Sequence, residues 1–193
     1  MARIAFIVAS DFEDSEFRVP YDAVRKAGHE AVIIGVEAGK KLEGKKGKET
    51  IRADKAIQDV RAEDFAALVI PGGYSPDHLR MDIKMVGFVR DFFKADKPIA
   101  AICHAPWMLV EADIADERTV TSFPSIKTDL LNAGARWVDR EVVEDGNLIT
   151  SRKPDDLKAF CAALLRQVDQ GIAPRLESPL APEAASQQPP AVH

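Results

Sequence analysis

"KPIAAICHAPWMLVEA", residues 97–112, carries a strand into a helix across one short junction. Lys97-Pro98 punctuates the chain, residues 99–102 read as a buried strand, and residues 105–112 read as helical. The junction is Cys103-His104. A reactive pair at a sharp turn invites a catalytic reading, although free cysteine is also an ordinary small core residue.

Working outward, the same strand-to-helix alternation recurs. "RIAFIVAS" (3–10) is a near-continuous apolar run, as expected of a strand covered on both faces. A helix is predicted over 16–28, with Phe17, Tyr21, Val24 and Ala27 on one side and Gly28 as its stop. "AVIIGV" (31–36) and "DFAALVIPGG" (64–73) read as further strands, and residues 84–96 as a helix. This rhythm predicts an α/β fold with a doubly wound parallel sheet. In such sheets ligands bind at the carboxyl ends of the strands. "ASDFED", "PGGYSPDH" and "ICHA" all fall at those ends. Further on, "REVVEDGNLITS" (140–151) reads as a hairpin and residues 154–168 as an amphipathic helix. The expected division is one domain over 1–171 and a Pro/Ala-rich tail over 172–193.

Composition narrows the function classes. At 193 residues and 46% hydrophobic, the chain can build a full-sized core. A net charge of −5 argues against nucleic acid as the main partner. The opening apolar run is too short for a signal peptide, and no stretch approaches a membrane span. Two cysteines without a C-x-x-C pattern fit a reduced compartment, so a cytoplasmic location is expected. No cluster has metal-ligand spacing, and no phosphate-binding glycine motif occurs, so neither metal nor cofactor is expected. The lysine-rich stretch "GKKLEGKKGKE" (39–49) lacks interleaved aromatics and reads as a solvated turn.

The two cysteines differ. Cys161 lies on the apolar face of the last predicted helix and reads as core. Cys103 would sit at the positive end of a helix, where backbone N–H groups favour an anion and lower a thiol pKa from about 8.5. Ala101 and Ala105 supply the small neighbours that a nucleophile elbow needs. The His104 N–H, with one from Gly72 or Gly73, would form an oxyanion site. His104 and His78 are the candidate proton carriers, since His29 reads as a loop residue and His193 is in the tail. No histidine lies between 104 and 193, which excludes a downstream-histidine triad. Glu13, just before the first helix, could face the crevice as a protonated carboxyl donating to sulfur. Asp14 and Glu16 read as helix-dipole acids.

"DFEDSE", "ALVIPGGYSPDHLR", "PIAAICHAP" and the block "TSFPSIKTDLLNAGARWVDREVVEDGNLITSRKPDDL" together resemble the PfpI family, within the superfamily of the parkinsonism-associated protein deglycase. The resemblance runs from residue 3 to about 168. It implies a flavodoxin-like three-layer sandwich and a homodimer or higher oligomer. It further implies Cys103 as nucleophile, His104 as its partner, Glu13 as the carboxyl at the sulfur, and Asp77 supplied from a neighbouring subunit. Ala105 stands where a glycine is common, Phe123 where peptidase-like relatives have tyrosine, and Asp77 where they have glutamate. These departures weaken a peptidase reading. The function expected is a stress-protective cysteine enzyme acting on dicarbonyls or early glycation adducts. An intracellular peptidase and a non-catalytic redox sensor or chaperone using Cys103 are the alternatives.

Overall fold

The structure is a computed structural model that describes residues 1–176. Its central sheet is laid down by apolar runs whose alternate residues face opposite layers. Six strands run parallel: β1 (Arg3–Ile7), β2 (Glu30–Gly35), β5 (Lys55–Ala56), β6 (Ala67–Ile70), β7 (Ile99–Ile102) and β11 (Leu148–Ser151). The seventh, β10 (Val142–Asp145), is antiparallel to β11 across the Gly146-Asn147 turn, and Gly146 takes the positive φ of 61° that this turn requires. The order is β10-β11-β7-β6-β1-β2-β5. Small hairpin strands β3 (Lys41–Glu43) and β4 (Thr50–Arg52), and the pair β8 (Thr119–Val120) and β9 (Arg136–Trp137), lie outside the sheet.

On one face, Ile4, Phe6, Val69, Ala100 and Ile149 pack against α1 (Asp14–Lys26) and α6 (Leu157–Gln170) through Phe17, Phe160 and Leu164. On the other, Ala5, Ile7, Leu68, Ile70 and Ala101 meet α3 (Ile83–Lys94) and α4 (Trp107–Glu111) through Met85, Phe92 and Met108. Short helices α2 (Ser75–Leu79) and α5 (Lys127–Asn132) complete that layer. The expected α/β sandwich with a mostly parallel sheet is therefore present. No helix among the described residues is long and apolar enough to cross a membrane.

Two differences matter for the site. The runs 3–10 and 64–73 stop pairing at Ile7 and Ile70, freeing the segments after them as loops at the sheet's carboxyl edge. The helix expected from residue 105 begins only at Trp107, because residues 103–106 form tight turns. Most of the expected tail lies outside the described residues. The part that is described, Pro174 and Leu176, bonds back to the hairpin turn through Gly146 N–H and Asp145 Oδ1.

Candidate active site

The strand order reverses between β1 and β6: from β1 the sheet is extended through β2 and β5 on one side and through β6, β7 and β11 on the other, all six strands staying parallel. That switch opens a crevice at the carboxyl ends of the strands. Three loops meet there, after β1, β6 and β7.

Cys103 follows β7 directly and holds φ at 65°, a left-handed conformation that costs a non-glycine residue about 1–3 kcal/mol. The backbone is pinned into it from both sides. Cys103 N–H donates to Ser151 O at 2.9 Å, and Phe123 N–H donates to Cys103 O at 2.9 Å. The result is an elbow that aims Sγ into the crevice with the residue only 5% exposed.

The groups around the sulfur come from four segments. His104 Nδ1 lies 3.1 Å from Sγ, and its Nε2 lies 3.1 Å from Ser125 Oγ. Phe123 stacks on the imidazole with ring centroids 5.0 Å apart. The N–H groups of Gly73 and His104 point at the sulfur and favour its anion. Glu16, fully buried on the first turn of α1, brings its carboxyl to Cys103. Its Oε2 accepts the Gly72 N–H at 3.0 Å. Its Oε1 is buried without a well-aligned partner among the described residues, so the approach to sulfur is close without being a completed bond. Gly72 must lack a side chain here, since a Cβ would fall 2.7 Å from Cys103 Cβ.

Electrostatics follow from burial. Burial pushes the Glu16 carboxyl up to about 8, and the charge on Glu13 adds to it. Glu16 is therefore protonated at neutral pH, a donor rather than a charge. Burial also pushes the Cys103 thiol up, and a charged Glu16 would push it further, against the Gly73 and His104 N–H groups. A proton on Glu16 removes that second penalty. His104 is held below its usual range by burial and by the Lys45 ammonium, so it is neutral, with one ring nitrogen unprotonated. Cys161 shows only the burial effect, pushed up to about 11.

Similarity to known proteins accompanies this geometry. Residues 2–167 match the model of the DJ-1/PfpI family. The chain belongs to that family. Protein/nucleic acid deglycase 2 of Escherichia coli is 48% identical over 165 residues, covering 85% of this chain and 96% of the relative. General stress protein 18 of Bacillus subtilis is 46% identical, covering 82% and 92%. Drosophila melanogaster DJ-1beta has a solved structure that superposes with a TM-score of 0.81 at 30% identity, covering 86% of this chain and 90% of that one.

Within this family member the expected residues are only partly gathered. Cys103, His104, Gly73 and Phe123 converge. Gly72 is present, but its N–H is committed to Glu16, so Gly73 alone joins His104 as a donor. Glu13 is not the carboxyl at the sulfur. Its oxygens turn to Lys45 Nζ at 2.8 Å and Lys46 Nζ at 2.6 Å, which hold it ionised despite burial. Glu16 takes the place expected of Glu13: α1 starts at Asp14, and its first turn directs residue 16 toward the sulfur, while the likewise buried Glu13 faces the two lysines. Asp77 lies exposed on α2, and among the described residues its carboxylate makes no hydrogen bond or ion pair. His78 is exposed and faces Asp11 at 3.3 Å, away from the role of proton carrier. His29 is more enclosed than expected, accepting Ala2 N–H at 3.2 Å.

The helix-end argument for Cys103 also fails. The five-residue α4 starts four positions later, and the stabilising N–H groups come from His104 in the turn itself and from Gly73 in the loop after β6. Sequence reasoning missed Glu16, Ser125 and Lys45. A signal existed for Glu16: in "DSEFRVP" it directly precedes Phe17 and lies one turn before the buried Pro20, on the inward face.

Proposed function

We propose that the chain is a cysteine-dependent enzyme acting on small reactive dicarbonyls or early glycation adducts. The observation that carries this reading is the Cys103 sulfur at its elbow, facing neutral His104 at 3.1 Å and protonated Glu16 in one enclosed crevice. The family relationship and the name of the deglycase relative support it.

The steps balance without an external oxidant. His104 takes the thiol proton and the sulfur adds to the aldehyde carbon, forming an S–C bond. Proton transfer to the resulting alkoxide gives a hemithioacetal, with the Gly73 and His104 N–H groups binding the oxyanion as it forms. Removal of the C–H proton on that carbon and its return to the adjacent carbonyl carbon converts the adduct to a thioester. One carbon is oxidised as its neighbour is reduced. Water then cleaves the thioester, releasing a 2-hydroxy acid and restoring the thiol. Glu16 lies against the sulfur as a protonated carboxyl, and Ser125 orients the imidazole ring within the same subunit. The reading thus does not require Asp77 from a neighbouring chain, although a homo-oligomer remains the expected assembly.

A redox-sensing reading has one observation in its favour. A protonated buried carboxyl beside a thiol is suited to hold a sulfinate by a donated hydrogen bond. The discriminating assay offers methylglyoxal and an unstructured peptide to the same preparation. Lactate formation without peptide hydrolysis is expected. Peptide cleavage without lactate would establish the peptidase alternative, and absence of both would leave the sensor reading.

A further inference from the structure

The lysine-rich stretch, expected to be a solvated turn, is instead fastened to the site. The Asp14 carboxylate accepts the backbone N–H groups of Lys46, Lys48 and Glu49 at 2.8–3.0 Å. Lys45 N–H donates to Phe12 O at 2.9 Å. Phe12 bridges Gly44 on one side and Gly73 on the other, so the loop between β3 and β4 lies one chain width from the glycine whose N–H faces the sulfur. From this position Lys45 Nζ reaches Glu13 at 2.8 Å, with its side chain about one-third exposed.

We propose that Lys45, clamped by Glu13 on this anchored loop, is a positioning residue that keeps a fixed positive charge beside the Cys103 thiolate. The proposal rests on the reading of Cys103 as the reactive group, but its test needs no substrate and can fail independently of the reaction. Among the described residues, the charged and titratable groups that act on Cys103 are Glu16 from α1, His104 from its own turn and, by its charge from the Glu13 clamp, Lys45 of the β3–β4 loop. Glu13 acts on Glu16 by its charge, and Lys46 occupies the other oxygen of Glu13. Phe123 and Ser125 bring no charge. Lys46 is taken up by Glu13, so of the groups that act directly on Cys103 among the described residues, Lys45 is the permanent cation. Its ammonium is held protonated by the Glu13 hydrogen bond, and its field disfavours protonation of His104. The clamp matters because a free lysine would spend most of its time in solvent, where water screens its charge.

Brief iodoacetamide labelling of the full-length protein, followed across the neutral to alkaline range by mass spectrometry of the Cys103 peptide, tests this. Lys45→Met should slow Cys103 labelling at neutral pH by about three- to tenfold and move the pH midpoint upward. Lys45→Arg should keep the wild-type midpoint. Lys48→Met removes an equal charge from the same loop and should change nothing. Lys45→Gln, which can still bond Glu13 without the charge, should shift the midpoint as Lys45→Met does, so misfolding of one variant cannot hide the result. A wild-type midpoint in the folded Met or Gln variant, or an equal shift in Lys48→Met, would overturn the proposal.

Discussion

Glu16→Leu is expected to abolish the selective oxidation of Cys103 to sulfinic acid by hydrogen peroxide, while Glu16→Gln largely keeps it. The carboxyl is fully buried, protonated at neutral pH, and directed at the sulfur. Glutamine preserves both of its hydrogen-bonding functions, accepting the Gly72 N–H and donating toward Sγ. Leucine removes both, and leaves the Gly72 N–H buried without an acceptor, a cost of about 1–3 kcal/mol. Stability versus pH should separate the variants further. Glu16 is raised from 4.5 to about 8, so between those values the folded state holds a proton that the unfolded state lacks. The wild type should lose stability as pH climbs through that window, by a few kcal/mol in all. Glu16→Gln should lack this slope and be the more stable protein above it. Peptide mass spectrometry and thermal melts at several pH values read both effects. A leucine variant accumulating sulfinate like the wild type would remove Glu16 from the site.

The sequence made the sheet legible because its strands are uninterrupted apolar runs, and a doubly wound sheet places its ligand site by topology alone. Cys103-His104 stood out for the same reason: both sit at a strand's carboxyl end. The choice between Glu13 and Glu16 was less accessible. It depends on where α1 begins, since both acids are buried and the helix start decides which of them faces the sulfur. Lys45 was harder still. Its place near Cys103 comes from Asp14 gripping the backbone of a loop more than thirty residues away, a contact that leaves no periodicity in the sequence. Ser125 depends likewise on how the segment after β8 folds over the imidazole.

The largest effect on stability is expected far from the crevice, at Asp145. This carboxylate is fully buried at the end of β10, where it meets the Arg118 guanidinium, itself 4% exposed. It also accepts the N–H groups of Thr119 at 2.7 Å and Leu176 at 2.8 Å. Burial alone would raise its pKa, but these N–H groups and Arg118 hold it below the ordinary carboxylate range. Asp145→Ala would take the carboxylate from the buried Arg118 guanidinium, leaving it only the backbone carbonyl of residue 145 and Asn147 Oδ1, and would unpair two backbone donors. Breaking a buried pair from one side costs about 3–5 kcal/mol, which for a chain of this length lowers the melting temperature by roughly 10 °C. The group's stabilisation is present above its unfolded pKa and fades as pH falls, so the deficit of the variant should narrow in acid. Differential scanning calorimetry checks both statements. A melting temperature within a degree or so of wild type would show that the residue 145 carbonyl and Asn147 suffice for Arg118.

The central claim is that Cys103 forms the bond to substrate. Its most direct measurement is lactate production from methylglyoxal by Cys103→Ser beside the wild type and Cys161→Ser. Cys103→Ser is expected to form none above the uncatalysed background while Cys161→Ser retains wild-type turnover. Undiminished lactate from a folded Cys103→Ser protein would contradict it.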